Sequence, residues 1–187
     1  MRRPPWYSSY EENNYGELFY SLMRIYQPEK VVELGTKGGY SAYHIAKGLA
    51  ANGHGSLDCY DLWEHEAMYE MACKNLKGLE DIVQVNKQDA IGVETNYKSI
   101  DILHIDLGNQ GGILEKTIPL WIDKTRQLII IEGGSIERDK RSWMIDLGVE
   151  PISDWLKNFK RLRPDIEYFT IEPFPSLTII KKKHPNT

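Results

Sequence analysis

The sequence of 187 residues has few cysteines, no long apolar run and no excess of positive charge. Its two cysteines, Cys59 and Cys73, fit neither a disulfide framework nor a zinc pattern, so we interpret both as reduced packing residues. No apolar stretch approaches the roughly 18 residues that a membrane span requires. No apolar segment follows the charged N-terminus, as a secretory signal would demand. These absences predict a cytoplasmic protein without a membrane partner.

The charge balance argues against a nucleic-acid partner. Lysine and arginine number 23 against 27 aspartates and glutamates, which gives a formal net charge of −4. A protein with this balance has no global positive field to attract nucleic acid. The one dense basic run, at 181–183, is typical of a solvated chain end.

Short β-branched runs alternate with longer helical patterns along the first two thirds of the chain. This alternation predicts an α/β fold in which helices cover both faces of a parallel sheet, a Rossmann-like three-layer sandwich. A helical region over 141–159 follows, with breaks near Gly148 and Pro151. The predicted strands cover 31–34, 57–60, 82–85, 99–105, 128–131, 166–171 and 176–180.

The first 15 residues differ in composition from the rest. They are rich in Trp, Tyr, Asn and Pro, so we predict an irregular aromatic arm at 1–15 and one domain over 16–187. The arm carries Trp6, Tyr7, Tyr10 and Tyr15. Its rings could cover an acceptor molecule, pack on the domain or contact a second subunit of a homodimer. Three aromatic residues of the helical region are predicted to lie in the core: Trp143, Trp155 and Phe159.

A glycine-rich turn, Gly35-Thr-Lys-Gly-Gly39, joins the first predicted strand to the helix that begins near Ser41. Glycines let the backbone approach a ligand, and a helix N-terminus favours negative groups. The spacing matches neither the dinucleotide nor the phosphate-loop signature. A cofactor with a carboxylate and an amino group fits better, since Ser41 could donate to the former and Glu33 accept from the latter. Alternatively, both side chains merely cap and solubilise the turn.

Acidic residues also follow the second and third predicted strands. Asp61 ends the second strand, where a carboxylate can accept hydrogen bonds from both hydroxyls of a ribose. The third strand leads to Asp89 and Ala90, and an acid there can reach an adenine amino group. The order of Glu33, Asp61 and Asp89 therefore favours a cofactor with a nucleoside half.

The segment from Val32 to Ala42 resembles motif I of the catechol O-methyltransferase-like group and of its sugar and macrolide O-methyltransferase relatives. The resemblance continues through Asp61 and Asp89 to the segment 103–106, and it covers roughly 16–132. It implies a class I fold, a seven-stranded, mostly parallel sheet that ends in an antiparallel hairpin, and S-adenosylmethionine as cofactor. The predicted cofactor-binding residues are Glu33, Gly35, Thr36, Gly39, Ser41, Asp61, Leu62, Asp89, Ala90 and Asp106.

Methyl transfer is an in-line displacement, for which the protein aligns the reactants and positions a base. The predicted catalytic residues follow the fourth and fifth strands: Asp106 and Glu132, with Asn109 as a further candidate. His104 shares the Asp106 side of its strand and is a third catalytic candidate, with a core role as the alternative. We favour Asp106, because a carboxylate beside a sulfonium has an electrostatic reason to be there.

The residues after the fifth strand depart from the metal-dependent members of the group. Those members carry an Asp in the fourth motif and an Asp-Asn pair after strand five. Here Asp106 is kept, but Glu132 is followed by Gly133 and Gly134. A hard cation takes several oxygen ligands, and these two acids supply only two. We assign no metal ligand.

The sequence thus predicts an S-adenosylmethionine-dependent methyltransferase that acts on a small molecule, with oxygen as the favoured acceptor atom. Three alternatives stay open: a nitrogen, protein or tRNA acceptor; a non-catalytic adenosylmethionine-binding or interaction protein of the same fold; and an NAD-dependent enzyme. The glycine spacing disfavours the last of these.

Overall fold

Aliphatic and β-branched residues form a seven-stranded sheet, whose strands are β1 (Lys30–Leu34), β2 (Ser56–Asp61), β3 (Val83–Lys87), β4 (Ile100–Ile105), β5 (Thr125–Glu132), β6 (Ile166–Ile171) and β7 (Leu177–Lys182). Their order in the sheet is β3-β2-β1-β4-β5-β7-β6. The computed structural model describes residue 6 and the ranges 8–108 and 110–183. Strand β7 pairs antiparallel with β5 and β6, while β1–β2, β2–β3 and β4–β5 are parallel pairs. The predicted fold class is confirmed.

The α-helices are α1 (Tyr15–Tyr26), α2 (Tyr40–Asn52), α3 (Glu66–Asn75), α4 (Gly111–Trp121), α5 (Ile136–Asp139), α6 (Ser142–Asp146) and α7 (Ile152–Leu162), with short 3-10 helices at Ser9–Asn13 and Val93–Asn96. Helices α6 and α7 match the helical region predicted over 141–159, whereas α5 was not predicted. Helix α7 buries Trp155 and Phe159 along one face, as expected. Trp143 is 42% exposed, so its predicted core position is wrong. Its ring lies beside the Arg138 guanidinium, 5.0 Å from ring centre to carbon.

The chain divides into two compact units, 1–96 and 97–187. The first holds β1–β3 with α1–α3. There α1 packs closely on α2, because Gly48 leaves room for Met23: a Cβ at Gly48 would lie 2.6 Å from the Met23 Cβ. The second unit holds β4–β7 with α4–α7. The single domain proposed over 16–187 stays a prediction.

The described part of the aromatic arm packs on the first unit. The Trp6 ring lies 5.5 Å from the Tyr40 ring and 5.3 Å from the Tyr43 ring, centre to centre. Tyr10 is 1% exposed and meets Phe19 edge-on. Of the three destinations left open by the sequence, the structure gives these two rings a place on their own chain. Tyr7 and Asn109 lie outside the described residues.

The two cysteines differ in environment. Cys59 is buried in β2, as predicted, and burial together with the nearby charge of Glu33 raises the pKa of its thiol. Cys73 is exposed, so its interpretation as a packing residue is wrong. Both are free cysteines. In the part of the chain that the structure describes, no helix is long and apolar enough to cross a membrane.

Candidate functional site

The turn between β1 and α2 has a conformation that requires its glycines. Gly35 and Gly39 have φ angles of 89° and 85°, in the left-handed region that glycine adopts without strain. The Gly35 N–H donates to the Tyr60 carbonyl at 2.8 Å, which ties the turn to β2. A Cβ at Gly38 would lie 2.5 Å from the Trp6 carbonyl oxygen, so the arm passes directly over the turn.

Lys37 adopts the same left-handed region without being glycine, at φ 48°. Such a conformation costs a non-glycine residue on the order of 1–2 kcal/mol. Both backbone groups of Lys37 are held by side chains. Its N–H donates to Asp61 Oδ2 at 2.8 Å, and its carbonyl accepts from the indole N–H of Trp63 at 2.7 Å. The acid predicted to bind ribose is thereby joined to the glycine turn.

Glu33 and Ser41 lie together beneath the turn. Glu33 is fully buried at the end of β1, and the Ser41 hydroxyl at the start of α2 donates to its Oε1 at 2.6 Å. Thr36 is 3% exposed, and its buried hydroxyl lies near the Cys59 thiol, a weak acceptor, with no nitrogen or oxygen partner among the described residues. A buried hydroxyl is normally paired, so Thr36 is suited to a ligand group. The three predicted residues are thus brought together.

The loop after β3 meets the end of β2. The Gln88 N–H donates to the Asp61 carbonyl at 3.0 Å, and the exposed Asp89 carboxylate accepts from the Ile91 N–H at 2.9 Å. Ala90 is buried, whereas Leu62 and Ile91 are 53% and 52% exposed. The three segments predicted to bind the cofactor therefore converge within the first unit.

These residues fit S-adenosylmethionine. The Asp61 carboxylate suits ribose hydroxyls, Glu33 suits an ammonium group, and the N-terminus of α2 suits a carboxylate. The Thr36 hydroxyl adds a buried polar atom with capacity for a further bond.

The second unit holds the residues predicted to be catalytic. Asp106 follows β4 directly and is partly exposed. His104 is fully buried within β4, where it pairs in register with Ile130 of β5. Its burial favours the core role over contact with an acceptor.

Glu132 ends β5 in a buried ion pair with Arg138. The Arg138 Nη2 and Nε lie 2.8 Å and 3.3 Å from the two carboxylate oxygens, and the guanidinium side chain is only 2% exposed. Gly133 makes room for this pair, and Gly134 makes room for Thr178 of β7. A Cβ at Gly133 would lie 2.6 Å from Arg138 Nε, and one at Gly134 would lie 2.1 Å from Thr178 Oγ1.

The two acids of α5, Glu137 and Asp139, are also engaged. Glu137 pairs with Arg141 at 2.8 Å. The Asp139 carboxylate accepts from the first two backbone N–H groups of α7, at 3.1 Å and 2.9 Å. Within the described ranges, no three His, Cys, Asp or Glu side chains are grouped as a metal site. The donor set after β5 does not fit the divalent metal of the metal-dependent members, because a guanidinium already holds Glu132.

Sequence reasoning did not identify Trp63, Asn75 or Arg138. Asn75 is the last residue of α3, and its side-chain amide donates to the Gly38 carbonyl at 2.9 Å. A lone Trp after a strand and a lone Asn in a helix resemble ordinary packing and surface residues. Only Arg138 left a signal in the sequence, because it follows the acidic Glu132 by six residues. That spacing is too long for an ion pair on one helix, which joins residues three or four apart.

Comparisons with known proteins bear on the family and on the fold. The family model for a methyltransferase domain matches residues 32–132. Among solved structures, the fold is similar to that of the O-methyltransferase TomG of Streptomyces achromogenes, involved in tomaymycin synthesis and solved with SAM, at a TM-score of 0.71 and 18% identity over 97% of this chain and 83% of that one. For an O-methyltransferase of Bacillus cereus in complex with SAH, the TM-score is 0.68 at 19% identity, over 97% of this chain and 84% of that one.

A methyltransferase of Geobacter sulfurreducens gives a TM-score of 0.66 at 20% identity, over 92% of this chain and 79% of that one. At these identities the likeness establishes the fold. The family model covers more than half of the chain and includes the glycine turn, Asp61, Asp89, Asp106 and Glu132. The chain belongs to the family of methyltransferase domains.

Proposed function

We propose that this protein is an S-adenosylmethionine-dependent methyltransferase that methylates an oxygen atom of a small molecule. The observation that carries the proposal is the link between Asp61 and the glycine turn, through the Lys37 N–H at 2.8 Å. This bond joins an acid that is suited to ribose hydroxyls to a turn that lacks a phosphate signature. Family membership favours catalysis over the non-catalytic alternative. The similar proteins named as O-methyltransferases support oxygen as the acceptor atom.

Each half of the cofactor has its own group of residues in this proposal. Gly35, Thr36, Gly39, Ser41 and Glu33 surround the methionine half. Asp61 accepts from the ribose hydroxyls; each of its oxygens has two lone-pair sites, so the backbone bonds that it accepts leave capacity for them. The adenine lies against the remaining predicted residues: Leu62, Asp89 and Ala90.

Asp106 is the proposed catalytic acid–base group. When bound, the cofactor supplies an electrophilic methyl group on a sulfonium. The Asp106 carboxylate would accept the proton that the acceptor hydroxyl loses when its oxygen is methylated. The negative charge of the Asp106 carboxylate would also attract the positively charged sulfonium of the bound cofactor. Glu132, held by Arg138, and the buried His104 are assigned supporting roles in the structure around it.

A ligand-dependent thermal shift tests the cofactor. We expect S-adenosylmethionine and S-adenosylhomocysteine to raise Tm and NAD to leave it unchanged, because only a ligand of the native state stabilises it. Stabilisation by NAD alone would contradict the proposal.

Asp61→Ala should weaken S-adenosylhomocysteine binding at least about a hundredfold, since hydrogen bonds to a charged group contribute about 1.5–3 kcal/mol each. Isothermal titration calorimetry measures the loss. Asp58→Ala is the matched control, because Asp58 lies on the same strand in an ion pair with Lys30 at 2.7 Å. Retained affinity in Asp61→Ala, or equal loss in the control, would remove Asp61 from the site.

We further propose that the acceptor is a free small molecule, that the enzyme works in the cytoplasm, and that a homodimer is its candidate assembly. The two free cysteines support a reducing compartment. The net charge of −4 supports an acceptor other than nucleic acid.

A further inference from the structure

Two carbonyl groups of the glycine turn are held by side chains from outside it. The Trp63 indole N–H donates to the Lys37 carbonyl at 2.7 Å, and the Asn75 amide donates to the Gly38 carbonyl at 2.9 Å. Both donor residues are 3% exposed. Consecutive carbonyls of the turn thus bind to two separate elements, the segment after β2 and the end of α3.

Holding these carbonyls also orients the next amide groups. The C=O and N–H of a trans peptide point in opposite directions, so fixing the Lys37 carbonyl fixes the direction of the Gly38 N–H. In the same way, Asn75 fixes the peptide between Gly38 and Gly39. The Gly39 N–H of this peptide donates to the Thr36 carbonyl at 2.8 Å, which closes the turn. The turn therefore takes its shape from its neighbours as well as from its glycines.

Trp63 is joined to the turn by a second route. One oxygen of Asp61 accepts from the Lys37 N–H and the other from the Trp63 N–H, both at 2.8 Å. With the indole bond, the three residues form a closed ring of hydrogen bonds. Lys37 and Trp63 both have left-handed backbones, with φ of 48° and 41°. Such conformations persist where the surroundings over-determine them, and they cluster at ligand sites.

Helix α3 supports the turn at short range. A Cβ at Gly39 would lie 3.5 Å from the Ala72 Cα, and one at Gly38 would lie 3.3 Å from the Met71 sulfur. Asn75 follows on the same helix and donates into the turn. The helix therefore sets the position of the turn, and Asn75 sets its orientation.

We propose that Trp63 and Asn75 are positioning residues that hold the turn in its cofactor-binding shape, and that Trp63 couples the turn to Asp61. This inference rests on the proposed cofactor site. In this proposal, Trp63 and Asn75 lie outside that site and pre-organise the backbone donors of the turn and the carboxylate of Asp61.

Trp63→Phe tests the indole bond. The variant keeps an aromatic ring against Tyr69 but loses the N–H, so the Kd for S-adenosylhomocysteine in calorimetry should rise about fivefold to tenfold, as expected for one hydrogen bond. Trp121→Phe is the matched control, because Trp121 is 1% exposed and packs on Tyr97 in the second unit. It should leave the Kd within about twofold of the wild-type value.

Asn75→Leu is a second variant of similar volume that removes the other donor, and it should raise the Kd by a similar factor. A double-mutant cycle of Trp63→Phe with Asp61→Asn tests the coupling. In the Asp61→Asn background, Trp63→Phe should raise the Kd by a clearly smaller factor than in the wild type, because the ring of hydrogen bonds is already broken. A purely structural role would lower Tm without this dependence.

The outcomes separate the two proposals. If the wild-type protein does not bind S-adenosylhomocysteine, the proposed cofactor is wrong and the positioning role falls with it. Suppose instead that the wild type binds S-adenosylhomocysteine. If Trp63→Phe and Asn75→Leu then bind it as tightly as the wild type, or if Trp121→Phe weakens binding as much as they do, the cofactor stands and the positioning role is overturned. Additive effects of Trp63→Phe and Asp61→Asn would overturn the coupling alone.

Discussion

The carboxylate of Glu132 accepts hydrogen bonds from two guanidinium nitrogens of Arg138, on a side chain that solvent barely reaches. A desolvated charge is tolerated only when it is paired, so each partner needs the other. The pair connects the end of β5 to α5. It gives Glu132 a structural task at the position where the metal-dependent members place a ligand.

Glu132→Gln and Arg138→Met should each lower the free energy of unfolding by about 3 kcal/mol, because each leaves an uncompensated buried partner. The double variant should cost clearly less than the sum of the two. Urea denaturation measures all three. Glu137→Gln is the control: its pair with Arg141 is exposed, so its removal should cost under about 1 kcal/mol. Additive losses from the two single variants would show that the pair does not act as a unit.

At the scale of elements, the turn between β1 and α2 is enclosed by three neighbours: the arm, the segment after β2 and helix α3. Gly38 lies where the arm crosses the turn, and its φ angle is outside the left-handed region. Backbone strain therefore does not explain the glycine. The nearby Trp6 carbonyl does, since a main-chain atom at 2.5 Å from a Cβ cannot move aside alone.

Gly38→Ala should therefore displace the arm. We expect faster chymotrypsin cleavage after Trp6 and Tyr10 in the native protein, because their rings would leave the first unit. Gly112→Ala is the control, since a Cβ there meets nothing within 4 Å and alanine favours a helix by roughly 0.5–1 kcal/mol. Cleavage of the arm at the wild-type rate in Gly38→Ala would mean that it does not need this contact.

The elements that sequence patterns predicted well are those with long periodic signals. The strands lie within a few residues of their predicted positions, and the acids Asp61 and Asp89 follow their strands as expected. Helix α5 was missed because it has four residues and depends on a local cap: the Ser135 hydroxyl accepts from the Arg138 N–H at 3.1 Å. A helix that short carries no period.

At the scale of the whole molecule, the antiparallel end of the sheet was predicted only through the resemblance, since periodicity does not reveal which strand reverses. The site was partly predictable for a different reason. Residues at strand ends show themselves in the sequence, whereas Trp63, Asn75 and Arg138 act through long-range contacts to backbone groups or buried charges. Such contacts depend on the folded chain and leave no local pattern.

The charges of the whole molecule lead to a final prediction, on metal dependence. The protein has a net charge of −4, but the acids at the end of β5 and in α5 are bound to arginines or to the backbone: Glu132, Glu137 and Asp139. A divalent ion would have to displace Arg138 to reach Glu132, and the guanidinium cannot lose its charge at any working pH.

We therefore expect no stoichiometric Mn²⁺ binding by water-proton relaxation at physiological ionic strength, where screening suppresses diffuse association with the acidic surface. We also expect EDTA to leave the Kd for S-adenosylhomocysteine unchanged. Glu132→Gln provides the decisive comparison. One tightly bound Mn²⁺ in the wild type that is lost in this variant would show that Glu132 exchanges its arginine for a metal, and metal-assisted transfer would then replace transfer that relies on Asp106 alone.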